Sequence, residues 1–151
     1  MIMDIAIIIS IVSLIVSIVN VLMYIKLTIK YNAMVSTQTL TAQGAFETQI
    51  RSLISDATKE ITHYAIELQR EPENSILQQA YFTAEEQYRN AYEEACGKYI
   101  DGKIDKVRFE KLYKQEIYKL VNDDNQKKFY ATNQSTYAST ISVYKEWFSQ
   151  A

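Results

Sequence analysis

The stretch IAIIISIVSLIVSIVNVLMYI, residues 5–25, decides the fold. It runs for 21 residues between Asp4 and Lys26 without a charge. As a helix rising ~1.5 Å per residue it spans roughly 31 Å, about the thickness of a bilayer's hydrocarbon core. Val and Ile are indifferent helix formers in water, but in lipid a helix is favoured because it pairs every backbone N–H and C=O. A cleaved signal peptide wants a basic start, a shorter apolar core and small residues at the cut. The flanks here are Met1-Ile2-Met3-Asp4 and Leu22-Met23-Tyr24-Ile25-Lys26, which fit neither requirement. Residues 1–26 are therefore read as a transmembrane anchor.

Inside that stretch Ala6, Ser10, Ser13, Ser17 and Asn20 follow one another at spacings of 4, 3, 4 and 3. That is a heptad seam, so the five share one helix face while Ile, Val and Leu cover the rest. Three readings are open. Serine can be tolerated singly by bonding its own i−4 carbonyl. The face can be a tight seam between identical helices, since small and hydroxyl side chains allow close approach and cross-helix hydrogen bonds. Or it can line a water-filled lumen within a ring of helices. Asn20 is the costliest of the five to leave unpaired in lipid.

Flanking charge sets orientation. Lys26 and Lys30 follow the helix, and only Asp4 and the amino terminus precede it. The positive-inside tendency places the N-terminus outside and residues 27–151 in the cytoplasm. Tyr24 and Tyr31, with Lys26 and Lys30, are the expected membrane-interface anchors.

The rest of the chain reads as helix. Of 151 residues only 3 are Gly and 1 is Pro, too few punctuators for a turn-rich β sandwich or barrel. Residues 27–44, rich in Thr, Gln and Ser, are a stalk that continues the membrane helix or an ordered linker, with Gly44 the first expected break. Residues 45–151 are expected to form an antiparallel bundle of about four helices. Phe46, Ile50, Leu53, Ile54, Ala57, Ile61, Tyr64, Ala65 and Leu68 recur at three and four, which is an amphipathic face. Pro72 ends that helix. Ser75 is the expected N-cap of the next, with Gln78 completing a capping box. Leu77, Ala84, Tyr88, Tyr92, Ala95 and Tyr99 mark its core side. After an Asp101-Gly102 turn, Asp105 caps a third helix that buries Phe109, Leu112, Tyr113, Ile117, Leu120 and Val121. Beyond Asn122-Asp123-Asp124 a last amphipathic stretch runs from Phe129 through Tyr137, Ile141 and Tyr144 to Phe148.

Charge excludes more than it proposes. The formal net is −2, so no basic excess points to nucleic acid, and no direct nucleic-acid binding is expected. Residues 47–94 hold 4 basic and 10 acidic side chains, a net of −6; residues 98–128 hold 9 and 6, a net of +3. Solvated faces explain this; so do a subunit contact between unlike surfaces and a basic patch near anionic headgroups or RNA, the RNA version being weakened by the interleaved acids. One His and one Cys leave no ligand set for a metal. His63 reads as a surface imidazole and Cys96 as a small core residue. Adjacent carboxylates on a helix point apart, and Gly44, Gly97 and Gly102 are too isolated for a phosphate loop. No cofactor, metal or catalytic residue is expected.

Two segments carry a resemblance: NAYEEACGKYIDGKIDKVRF at residues 90–109 and VYKEW at 143–147. Together with the amino-terminal apolar helix they resemble small bacterial single-pass proteins of antiviral defence. The family is the membrane accessory proteins encoded beside the RNA-targeting effector of type VI-B CRISPR systems. That resemblance implies a ring-shaped homo-oligomer whose membrane helices surround a pore. It also implies a divergent four-helix domain of the HEPN type, residence in the bacterial inner membrane and a cytoplasmic RNA-guided effector as partner. Ribonuclease relatives of that domain carry an Arg followed four to six residues later by His. Here Arg51 precedes His63 by 12 positions, and no His follows Arg70, Arg89 or Arg108. The expected function is thus a pore-forming or depolarising membrane effector. A membrane-anchored interaction scaffold is the alternative, and a tethered ribonuclease comes last.

Overall fold

A computed structural model describes residues 2–131 and 135–149, the side chains of residues 2–4 and 6 excepted. Among the described residues every regular element is a helix: α1 (Ile2–Arg70), α2 (Ser75–Ile100), α3 (Lys106–Asn122), α4 (Lys127–Tyr130) and α5 (Ala138–Phe148). The chain divides into two compact units, Met1–Thr41 and Ala42–Ala151.

The first unit is helical throughout its described length, and α1 carries a stretch long and apolar enough, by length and composition, to cross a membrane. Residues 27–44 resolve as helix, so of the two readings of the stalk the continued helix is found. The threonines show how such a polar, β-branched stretch stays helical. Thr28, Thr37, Thr39 and Thr41 each donate a hydroxyl hydrogen bond to the carbonyl four residues back, at 2.9–3.0 Å. Each hydroxyl is satisfied locally instead of competing with the ladder. The break expected at Gly44 is absent: α1 runs through it, and a glycine costs a helix only about 1 kcal/mol, too little to end one by itself.

In the second unit the turns follow sequence chemistry. Asn74, not Ser75, is the N-cap of α2; its Oδ1 accepts from the backbone N–H of Ile76 and Leu77 at 3.1 and 3.2 Å. The carboxamide reaches two orphan donors, where the Ser75 hydroxyl one position later would be inside the helix. Gln78 accordingly does not close the expected box; its side chain donates to the Pro72 carbonyl at 2.7 Å. At the other end Gly102 adopts φ +67. Its N–H bonds the Tyr99 carbonyl and that of Lys103 the Lys98 carbonyl, the paired closure that a left-handed residue permits. Asp105 caps α3 as expected, accepting from the Arg108 N–H at 3.0 Å. The last expected helix is two elements, because the turn after Asn122 yields only the four residues of α4 before α5 begins.

The core forms where α1, α2, α3 and α5 bring Ile50, Ile54, Tyr92, Cys96, Ile117 and Val143 together. Rings of Tyr99, Phe109, Tyr113 and Trp147 close one side, with centroids 4.9–6.0 Å apart. Two residues assigned to that core lie outside it: Leu53 and Leu112 are exposed, at the edges of their helices' apolar stripes.

Candidate functional site

Along the apolar part of α1 the side chains of residues 7–25 are all exposed in the single chain. Ser10, Ser13, Ser17 and Asn20 are thus set on one face by helix periodicity, and all four side chains are exposed. Ala6 belongs to the same line, but its side chain lies outside the described residues. The hydroxyl of Ser17 donates to the Ser13 carbonyl at 2.9 Å. That bond meets the serine's own donor need and leaves its oxygen lone pairs free to accept. Among the described residues the Asn20 carboxamide has no partner, although it brings two donors and an acceptor. A second copy of the same helix offers complementary groups at the same height, worth about 0.6–2 kcal/mol for each interhelical hydrogen bond. Tyr24, Lys26, Lys30 and Tyr31 are exposed at the polar end of this stretch.

The second unit holds a buried polar cluster that spacing alone does not single out. Arg89 is only 5% exposed. Its Nε donates to Tyr137 Oη at 3.2 Å and one terminal nitrogen to Gln126 Oε1 at 2.8 Å, while its guanidinium lies 3.9 Å from the Phe129 ring centroid. Gln126 in turn donates to Glu85 at 3.0 Å. One turn along α2, the Glu93 carboxylate accepts from the backbone N–H of Ser139 and Thr140 at 2.8 and 2.9 Å, and from the Thr140 hydroxyl at 2.8 Å. It thereby caps the start of α5 from another helix and meets the positive end of that helix dipole. Both clusters fasten the segment after Asn122 to α2. The signal for them was Arg89 at three and seven residues before Tyr92 and Cys96, on the buried face.

Burial pushes the Cys96 thiol up to about 12, and the tyrosine hydroxyls of Tyr92 and Tyr130 are raised by the same cause. A thiol held protonated is no nucleophile. His63 is exposed and stacks obliquely on Tyr64. Among the described residues no group of three or more His, Cys, Asp or Glu side chains is arranged to hold a metal ion. No family model, curated protein or solved structure matches the chain.

Proposed function

We propose that the chain is a homo-oligomeric single-pass protein of the bacterial inner membrane that permeabilises or depolarises the bilayer as an accessory effector in antiviral defence. In this reading residues 5–25 cross the membrane with the N-terminus outside, and residues 45–151 form a cytoplasmic antiparallel helical bundle without catalytic function. The observation that carries it is the line Ser10, Ser13, Ser17 and Asn20 on an otherwise apolar, wholly uncovered helix face. Lipid gives the Asn20 carboxamide on that face no hydrogen-bond partner, whereas copies of the helix or a column of water do. The resemblance to the type VI-B accessory proteins supports the same output and adds an RNA-guided effector as the partner that triggers it.

The test is membrane potential and dye uptake in activated cells expressing the chain, beside the double variant Ser13→Leu, Ser17→Leu. The wild type should depolarise the membrane and admit dye; the variant should insert at normal levels and do neither. Intact potential with the wild-type chain overturns the proposal.

A further inference from the structure

Two surfaces of the second unit match each other. The first is a shallow crevice between α1 and α2, built from two adjoining parts of about 310 and 500 Å³ that share Glu60. Ala57, Ala80 and Ala91 line it, and such small side chains let another helix come close. Along its α1 wall stand Leu53, Glu60 and Tyr64, at intervals of 7 and 4 residues. The second surface is the outer face of α3, where Val107, Lys111 and Tyr118 stand at intervals of 4 and 7. Val107 is 79% exposed, and Tyr118, though its ring lies 5.2 Å from that of Phe148, is 45% exposed.

Charge singles out the middle residue of each line. On α3, Arg108, Lys114 and Lys119 are engaged with Glu47, Glu110 and Glu116 at 3.0, 2.6 and 3.2 Å. Lys106 and Lys111 have no such carboxylate among the described residues; Lys106 lies over the Tyr99 ring, 4.7 Å from its centroid, which leaves Lys111 on the outer line. In the crevice Asp56 faces Lys59 at 2.9 Å and Glu94 faces Lys98 at 3.9 Å, whereas Glu60 has no cation partner among the described residues.

We infer that α3 of one copy docks antiparallel to the α1 wall of this crevice in a second copy. Val107 then lies on Tyr64, Lys111 on Glu60 and Tyr118 on Leu53. Both lines span 11 residues, roughly 16 Å of helix, so the three contacts form together in one register. In the reverse direction Lys111 falls opposite Ala57, out of register with Glu60. The surfaces differ, so the contact is heterologous: in a pair one copy keeps a free crevice and the other a free α3 face, and assembly does not stop at a dimer. The net charges of −6 over residues 47–94 and +3 over 98–128 favour the same pairing at longer range.

The contact rests on the self-association proposed above but is separable from it. The full-length chain in detergent micelles is compared with Glu60→Lys, with Lys111→Glu and with the two combined, by mass of the protein complex. Each single reversal should weaken association about tenfold or more, and the combination should restore it. Independently, membranes holding one tagged copy with Glu60→Cys and another with Lys111→Cys should yield the mixed cross-linked pair on oxidation. An oligomer that neither reversal disturbs, a combination that fails to restore, or an absent mixed pair overturns this contact alone. A wild-type chain of monomer mass overturns both the contact and the self-association on which it rests.

Discussion

Arg89 shows what a single side chain does in this fold. A guanidinium buried without a carboxylate in contact is retained only if its donors are met and its charge is spread, and here an amide, a phenol and the face of Phe129 do so. Truncation by Arg89→Ala strands Gln126 and Tyr137 and opens a void, and should cost about 2–3 kcal/mol in denaturant unfolding. Arg89→Lys should recover less than half of that, because an ammonium cannot serve two partners in a planar fork. Cys96 makes a second residue-level prediction. With its thiol at about 12, native protein at pH 8 should react with iodoacetamide at least 1000-fold more slowly than the unfolded chain. The sign for stability follows. The unfolded thiol loses its proton near its ordinary value of 9.0 while the folded one keeps it, so this contribution is intact below pH 9 and falls as pH rises toward 12. The buried hydroxyls of Tyr92 and Tyr130 act in the same direction. The denaturant midpoint should be level between pH 7 and 8.5 and decline above pH 9; a midpoint that rises there contradicts the burial.

At the scale of elements, the long α1 is the instructive case. Helix was legible wherever apolar residues recur at three and four, and the turns at Pro72, Gly102 and Asn122 were legible from backbone chemistry. Residues 27–44 were not, because Thr, Ser and Gln carry no periodic apolar signal and a single glycine looks like a stop. There Thr37, Thr39 and Thr41 bond the carbonyl four residues back, so their hydroxyls are met inside the helix, a local device that pattern reading does not weigh. The same limit hid the cap of α5. Glu93 lies 46 residues from Ser139, and no local motif encodes a carboxylate donated by another helix. The heptad line of the apolar stretch could be read off directly, whereas the Ser17 bond to its own helix could not be separated from a bond to a neighbour. Because Gly44 is helical with nothing within 4 Å of a Cβ placed there, Gly44→Ala should stabilise α1 by about 0.5–1 kcal/mol in thermal unfolding. Were the chain to bend at Gly44 in solution, the same substitution would be neutral or destabilising.

At the scale of the whole molecule, the two units carry different kinds of information. The second has a core, satisfied caps and interlocked polar clusters; it is specified as a fold by its own sequence. The first has no such core among its described residues, and its exposed Ile, Val and Leu make a surface that favours lipid over water. Length and hydrophobicity alone would satisfy an anchor, and a uniform run of leucine would supply both. The line of Ser10, Ser13, Ser17 and Asn20 is therefore in excess of what anchoring requires. Replacing residues 5–23 by 19 leucines removes that excess and keeps the aromatic and cationic flank of Tyr24, Lys26, Lys30 and Tyr31. The pore reading expects the chimera to reach the membrane at normal abundance, to retain the fold of residues 42–151 and to lose depolarisation entirely. The scaffold reading expects full activity, because only proximity to the bilayer matters to a recruited partner. Membrane potential recorded beside fractionation separates the two. Loss of potential with the polyleucine chain would assign the output to the second unit and leave the polar line as ornament on an anchor.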